Sequence, residues 1–189
     1  RFILHRAHKF TRTVCLEFFG QVREAVPSII EIKDYLDAHT SAQLAGLEHL
    51  DERYLKAVGY ATKSKRAGTG GAGGSSGLPK MALFGDIVGD DADVVARATS
   101  EVVRLANGRA GEGFIAVSAD ARKKFWLDRK RTAAISKHTN AFKVNEDVVI
   151  PLPRMGEYTE GIERINIELS LRNKLALVDA LEAFFSKGN

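Results

Sequence analysis

The residues with most to offer chemically are cations gathered in one stretch. Arg122, Lys123, Lys124, Arg129, Lys130, Arg131, Lys137 and Lys143 stand within 22 positions that hold a single acid, Asp128. At helical spacing, Arg122, Phe125, Trp126 and Arg129 fall on related faces, three and four residues apart. An indole one turn before an arginine can pack its stem and fix its fork. A fixed guanidinium gives a carboxylate two parallel hydrogen bonds. Such a stretch could serve a nucleic-acid backbone, a small anionic substrate or solubility alone. Lys123, Lys124, Lys130 and Lys137 read as a solvated face. Nucleic-acid binding would call for further aromatic and basic residues on a sheet surface. The sequence shows none in an RNA-binding pattern, so nucleic acid is disfavoured but kept as the alternative. Glu146 or Asp147 could equally pair with these cations as structural glue.

Other chemistries have weaker support. The five histidines, His5, His8, His39, His49 and His138, form no H-E-x-x-H or H-x-H pattern, so no metal site is expected. No G-x-S-x-G occurs, and no cysteine sits in a nucleophile setting. Gly68, Gly70 and Gly73 spell G-x-G-x-x-G, but basic residues precede them and Pro79 follows. A dinucleotide site needs a strand before and a helix after. The segment from about 62 to 80 therefore reads as a mobile, glycine-rich connector.

The elements that must position the cations come from hydrophobic period. Residues 13–19 (TVCLEFF) read as a strand and 21–38 as a helix interrupted by Pro27. The first half of 44–54 reads as a strand. Residues 81–88 are the next strand, 92–107 a helix capped by Asp90 or Asp91 and stopped near Gly108, and 114–117 a short strand. The order is β-α-β-β-α-β, the split arrangement of ferredoxin-like domains. The fold class is α+β: an antiparallel sheet with helices on one face and a C-terminal helical extension. The βαββαβ core spans 1–118. Residues 119–189 add a helix carrying Trp126 and Arg129, a strand at 147–152 and a long helix from about 156 to 185, the whole forming one structural domain.

Composition sets the outer limits. A chain of 189 residues with 44% hydrophobic content can bury a sizeable core. A net charge of +4 permits anionic partners without requiring them. The lone Cys15 has no disulfide partner within the chain and sits among apolar residues, which suggests a reduced thiol and a cytoplasmic setting. No apolar run reaches a membrane span. The chain starts at Arg1, and a fragment of a longer protein is expected.

The segment FWLDRKRTAAISKHTNAFKVNEDVVIPLPRM resembles the W-x-x-R and E-D-x-x-x-P signature of FAD-linked oxidases of the glycolate oxidase and D-lactate dehydrogenase type, in their C-terminal or cap domain. GLEHLDERYLKAV and MALFGDIVGDDADVV are similar to the family's preceding elements, so the resemblance covers nearly the whole chain. It implies a ferredoxin-like cap that closes over a flavin held by a separate domain of the full-length protein. Arg129 matches the arginine that grips the carboxylate of a 2-hydroxy acid, Lys143 looks like the lysine that assists it, and Thr132 is similar to a substrate threonine. By that resemblance the chain supplies substrate-binding residues and no catalytic base, and alone is expected to be inactive. Its partners would be a small carboxylate and the flavin-binding domain, with FAD as cofactor. Some large bacterial relatives also carry an iron–sulfur module, for which this sequence has no cysteine cluster. A third expectation is a non-catalytic interaction domain whose Ile- and Leu-rich last helix packs on another body or forms a homo-oligomer.

Overall fold

The computed structural model describes residues 6–38, 41–64, 77–130 and 149–186, with side chains to 127 in the third stretch. Four strands and two long helices follow the expected order. They are β1 (Phe10–Phe18), α1 (Val22–Asp37), β2 (Ala42–Asp51), a short α2 (Glu52–Ala57), β3 (Met81–Gly89), α3 (Ala92–Asn107) and β4 (Gly111–Ala116). The sheet order is β2-β3-β1-β4, with β1 antiparallel to both β3 and β4, and β2 antiparallel to β3. A bulge between Leu44 and Gly46 shifts the β2–β3 register.

Central position explains the composition of β1 and β3. Strands covered on both faces read as near-continuous apolar runs. In β1, Val14, Leu16 and Phe18 face α1 and α3, where they meet Ile29, Ile32, Val95 and Val102. The alternate residues Thr13, Cys15 and Glu17 face the other side and are also fully buried. Each buried large apolar side chain contributes about 1.5–3 kcal/mol over its exposed state. Helix starts are set by local carboxylates: Gln21 N–H donates to Glu24 Oε2 at 2.9 Å before α1. Asp91 accepts from the backbone N–H of Asp93 and Val94 before α3, and these bonds hold its carboxyl below the usual range. Pro27 lies inside α1 and does not end it.

The extension begins with α4 (Ala119–Lys130), which packs on the sheet face opposite α1 and α3. The expected strand at 147–152 is corrected. Val149 and Ile150 have no strand pairing, and Leu152–Arg154 form a 3-10 turn. Pro151 and Pro153 lack the N–H groups that a ladder needs. Residues 147 and 148 lie outside the described residues. The last helix, α5 (Met155–Ser186), begins against α1 with Gly156 under Arg23; a Cβ there would stand 2.9 Å from the Arg23 Cα. Further along it keeps a row of exposed apolar side chains, with Leu175 at 63% and Phe185 at 72%.

Candidate functional site on the second sheet face

Glu17 is the unexpected residue of this face. It has no exposed surface, yet its carboxylate is fully engaged. Oε1 accepts from the Tyr60 hydroxyl at 2.6 Å and the Lys63 N–H at 2.8 Å. Oε2 accepts from the Thr62 hydroxyl at 2.6 Å and the Ser64 N–H at 3.0 Å. A buried carboxylate is tolerated when its lone pairs are met in this way. The effect is to strap residues 60–64, which lead into the glycine-rich stretch, onto the C-terminal end of β1. Residues 65–76 of that stretch, with Gly68, Gly70 and Gly73, lie outside the described residues.

Tyr60 is the hub. Its hydroxyl proton goes to Glu17, so the oxygen is left to accept. The Lys63 ammonium donates to it at 2.9 Å, and the Cys15 sulfur lies 3.3 Å away, placed for its S–H to donate to the remaining lone pair. Burial, followed by the neighbouring Cys15 and Glu17, pushes the phenol far above its ordinary range, so Tyr60 is a protonated donor throughout. The Lys63 ammonium also stands over three rings: 4.4 Å from the Tyr60 centroid, 5.0 Å from Phe125 and 5.3 Å from Phe84. Ring quadrupoles favour a cation there.

A second acid fixes α4. Asp86, on β3, accepts from the Thr13 hydroxyl at 2.5 Å and from Trp126 Nε1 at 3.1 Å. Phe84 beside it makes edge contacts with Phe125 and Tyr60, at centroid distances of 6.4 and 6.2 Å, and a tilted contact with Trp126. Phe125 and Trp126 therefore pack against the sheet and hold α4 along β1 and β4. A third acid, Glu112 on β4, accepts from the Ser64 hydroxyl.

The wall built this way is hydrophobic at its base, with carboxylates held by neutral donors and cations above. The family of FAD linked oxidases, C-terminal domain, matches residues 11–176. The chain belongs to that family. None of the curated proteins matches it in sequence. Among solved structures, the Bacillus subtilis YXEP protein, a dinuclear metal binding peptidase from the M20 family, is similar over 60% of this chain and 27% of its own length, at 9% identity and a TM-score of 0.31. The chain thus spans about a quarter of that protein, and a likeness so slight bears on neither fold nor function. Among the described residues no group of three or more His, Cys, Asp or Glu could hold a metal, and no helix is long and apolar enough to cross a membrane.

Position 129 lies on α4, one turn beyond the Trp126 anchor; its side chain lies outside the described residues. Thr132 and Lys143 lie outside them altogether. Spacing did not single out Glu17, Tyr60, Lys63, Asp86 or Glu112. One signal was available: an acid in the middle of TVCLEFF, which is otherwise a two-sided apolar strand.

A concavity of about 540 Å³ runs between α5 and the outer strand β2 and includes His49, Lys80, Tyr158, Ile162 and Asn166. Burial lowers the pKa of His49 there, opposed by Asp51, which favours the neutral ring. This groove mixes charge signs and carries no convergent set of groups.

Proposed function

We propose that the chain is the substrate-side cap domain of a FAD-dependent oxidoreductase that oxidises a small 2-hydroxy acid of the lactate or glycolate kind. In this reading Arg129 grips the substrate carboxylate, assisted by Lys143 and Thr132. Core 1–118 and extension 119–189 act as one unit. The observation that carries the reading is the anchoring of α4. Within a family match spanning both parts, Trp126 is hydrogen-bonded to Asp86 and flanked by Phe125, which fixes the helix turn that bears position 129.

The two long helix N-termini beside the sheet do not fit a nucleotide pyrophosphate. Asp91 caps α3 and Glu24 folds back on α1, so both ends present carboxylates where a phosphate would need bare N–H groups. This agrees with a flavin held by a separate domain of the full-length protein. The share of this chain is then to bind and orient the substrate, with binding energy spent on alignment. The test is Arg129→Ala in the full-length protein, assayed on 2-hydroxy acids. Loss of one side of a buried carboxylate pair costs about 2–4 kcal/mol, so kcat/KM should fall roughly 30- to 1,000-fold. Unchanged kcat/KM would refute the assignment.

A further inference from the structure

We propose that α5 pairs with the α5 of a second copy of the chain, antiparallel, about a two-fold axis between Arg172 and Asn173. The helix is apolar on more than one side: twelve large apolar side chains from Tyr158 to Phe185 stand 37–72% exposed. Taking about 150–200 Å² for each when fully exposed, they present roughly 1,000 Å² of apolar surface. The largest patch on an ordinary monomer is about 300–600 Å², and a stable dimer takes about 800 Å² from each partner. A surface of this size calls for a partner.

The order of residues along the helix fits that partner to a second copy. Eighteen residues make five turns, so Ala180 stands in line with Ile162, and Ala183 with Ile165. Leu169 and Ala176, seven residues apart, share that line to within about 20°. One exposed stripe therefore carries large side chains in its first half, Ile162, Ile165 and Leu169, and alanines in its second, Ala176, Ala180 and Ala183. Turned about the point between 172 and 173, the stripe meets itself with Ile162 against Ala183, Ile165 against Ala180 and Leu169 against Ala176. Each large side chain then faces a small one, and the axes can approach to about 8 Å. Two-fold contacts are self-complementary in this way. A parallel pair would set large against large at one end and leave a gap at the other.

The charges agree with this choice of stripe. On one flank the two Arg172 residues meet at the axis, with Glu168 and Asp179 of both copies to either side, so four acids surround two cations. The opposite line of the helix, Ile167, Leu171, Val178 and Phe185, has Lys174 at its middle. Self-pairing there would bury two ammonium groups.

The test is sedimentation equilibrium of the full-length protein, which should show a dimer. Ala176→Leu adds apolar surface but fills the hollow for Leu169, and should raise Kd about 30-fold or more. Adding Leu169→Ala exchanges large and small across the contact and should bring Kd back to within about tenfold of wild type. Val178→Asp, on the opposite line, should leave Kd unchanged. These positions are exposed, so thermal melts should stay near wild type and separate a lost contact from misfolding. Mild oxidation reads the register: Arg172→Cys copies should cross-link, whereas Ile162→Cys copies, about 30 Å apart along the axis, should not. A dimer of equal or greater affinity in Ala176→Leu, no rescue by Leu169→Ala, or cross-linking at Ile162→Cys overturns the inference. A full-length protein that stays monomeric at every concentration also overturns it, and assigns the apolar surface to the flavin-binding domain proposed above.

Discussion

Replacing Glu17 tests whether the strap on β1 is a structural requirement of the second sheet face. Glu17→Ala removes the acceptor for four donors. Thr62 and Lys63 are partly exposed and can turn to water, whereas Tyr60 and Ser64 are buried and cannot. At about 1–3 kcal/mol for each stranded buried donor, with some relief from water entering the vacated space, the expected loss is about 3–5 kcal/mol. Glu17→Gln keeps the volume and one oxygen. If the amide nitrogen takes the Oε2 place, the Thr62 hydroxyl can rotate to accept, but the Ser64 N–H loses its carboxylate acceptor and keeps only the longer bond to the Thr62 hydroxyl oxygen at 3.2 Å. If it takes the Oε1 place, the Tyr60 hydroxyl can rotate, but the Lys63 N–H is stranded. Either way one backbone N–H faces an NH2 group, for a loss of about 1–3 kcal/mol. Equilibrium unfolding in urea, followed by circular dichroism, reads both changes. For a chain of this size each kcal/mol should appear as about 2–4 °C in Tm. Glu17→Ala within about 0.5 kcal/mol of wild type, or Glu17→Gln as damaging as Ala, would refute the network as drawn.

Three further outcomes follow from the same geometry. Because the folded pKa of Tyr60 is raised, its contribution to stability is present below pH 10. Above that the unfolded phenol ionises and the contribution falls by about 1.4 kcal/mol per pH unit. Tyr60→Phe should therefore show a shallower loss between pH 10 and 11 in urea titrations, and equal slopes would count against it. Trp126→Phe gives up the bond to Asp86 and should cost about 1 kcal/mol, while also lowering full-length turnover by loosening α4; a melt equal to wild type would show that the indole N–H anchors nothing. Gly89→Ala sets a Cβ 2.6 Å from the Ser41 carbonyl oxygen and 2.8 Å from Val95, for a loss of about 1–3 kcal/mol. Gly46→Ala meets no atom within 4 Å and serves as control, so similar melts for the two would contradict the packing.

Much of the architecture was legible from period and punctuation. The β1, β3 and α3 segments announce themselves by short apolar runs and by a 3.6-residue stripe ending at Asn107-Gly108. The start of β4 three residues earlier than expected is a matter of its glycines: Gly111 and Gly113 weaken the strand signal, yet both are close-packed, Gly113 against Val103 and Leu16. DVVIPL failed as a strand because β propensity was weighed above its prolines. Trp126 and Phe125 were legible as packing residues, since large aromatics one face apart on a charged helix have few other uses.

The partners of the buried polar groups were not legible. Glu17 and Tyr60 are 43 residues apart, and Asp86 and Trp126 are 40 apart. Local pattern cannot report such pairs, because they depend on which strands become central. The sequence by itself determined the βαββαβ order, the polarity of each helix face, and a cationic helix with an aromatic anchor. Tertiary structure alone decided that β1 and β3 are covered on both sides. That burial turns an ordinary-looking glutamate into the clasp for residues 60–64 and an aspartate into the seat of α4.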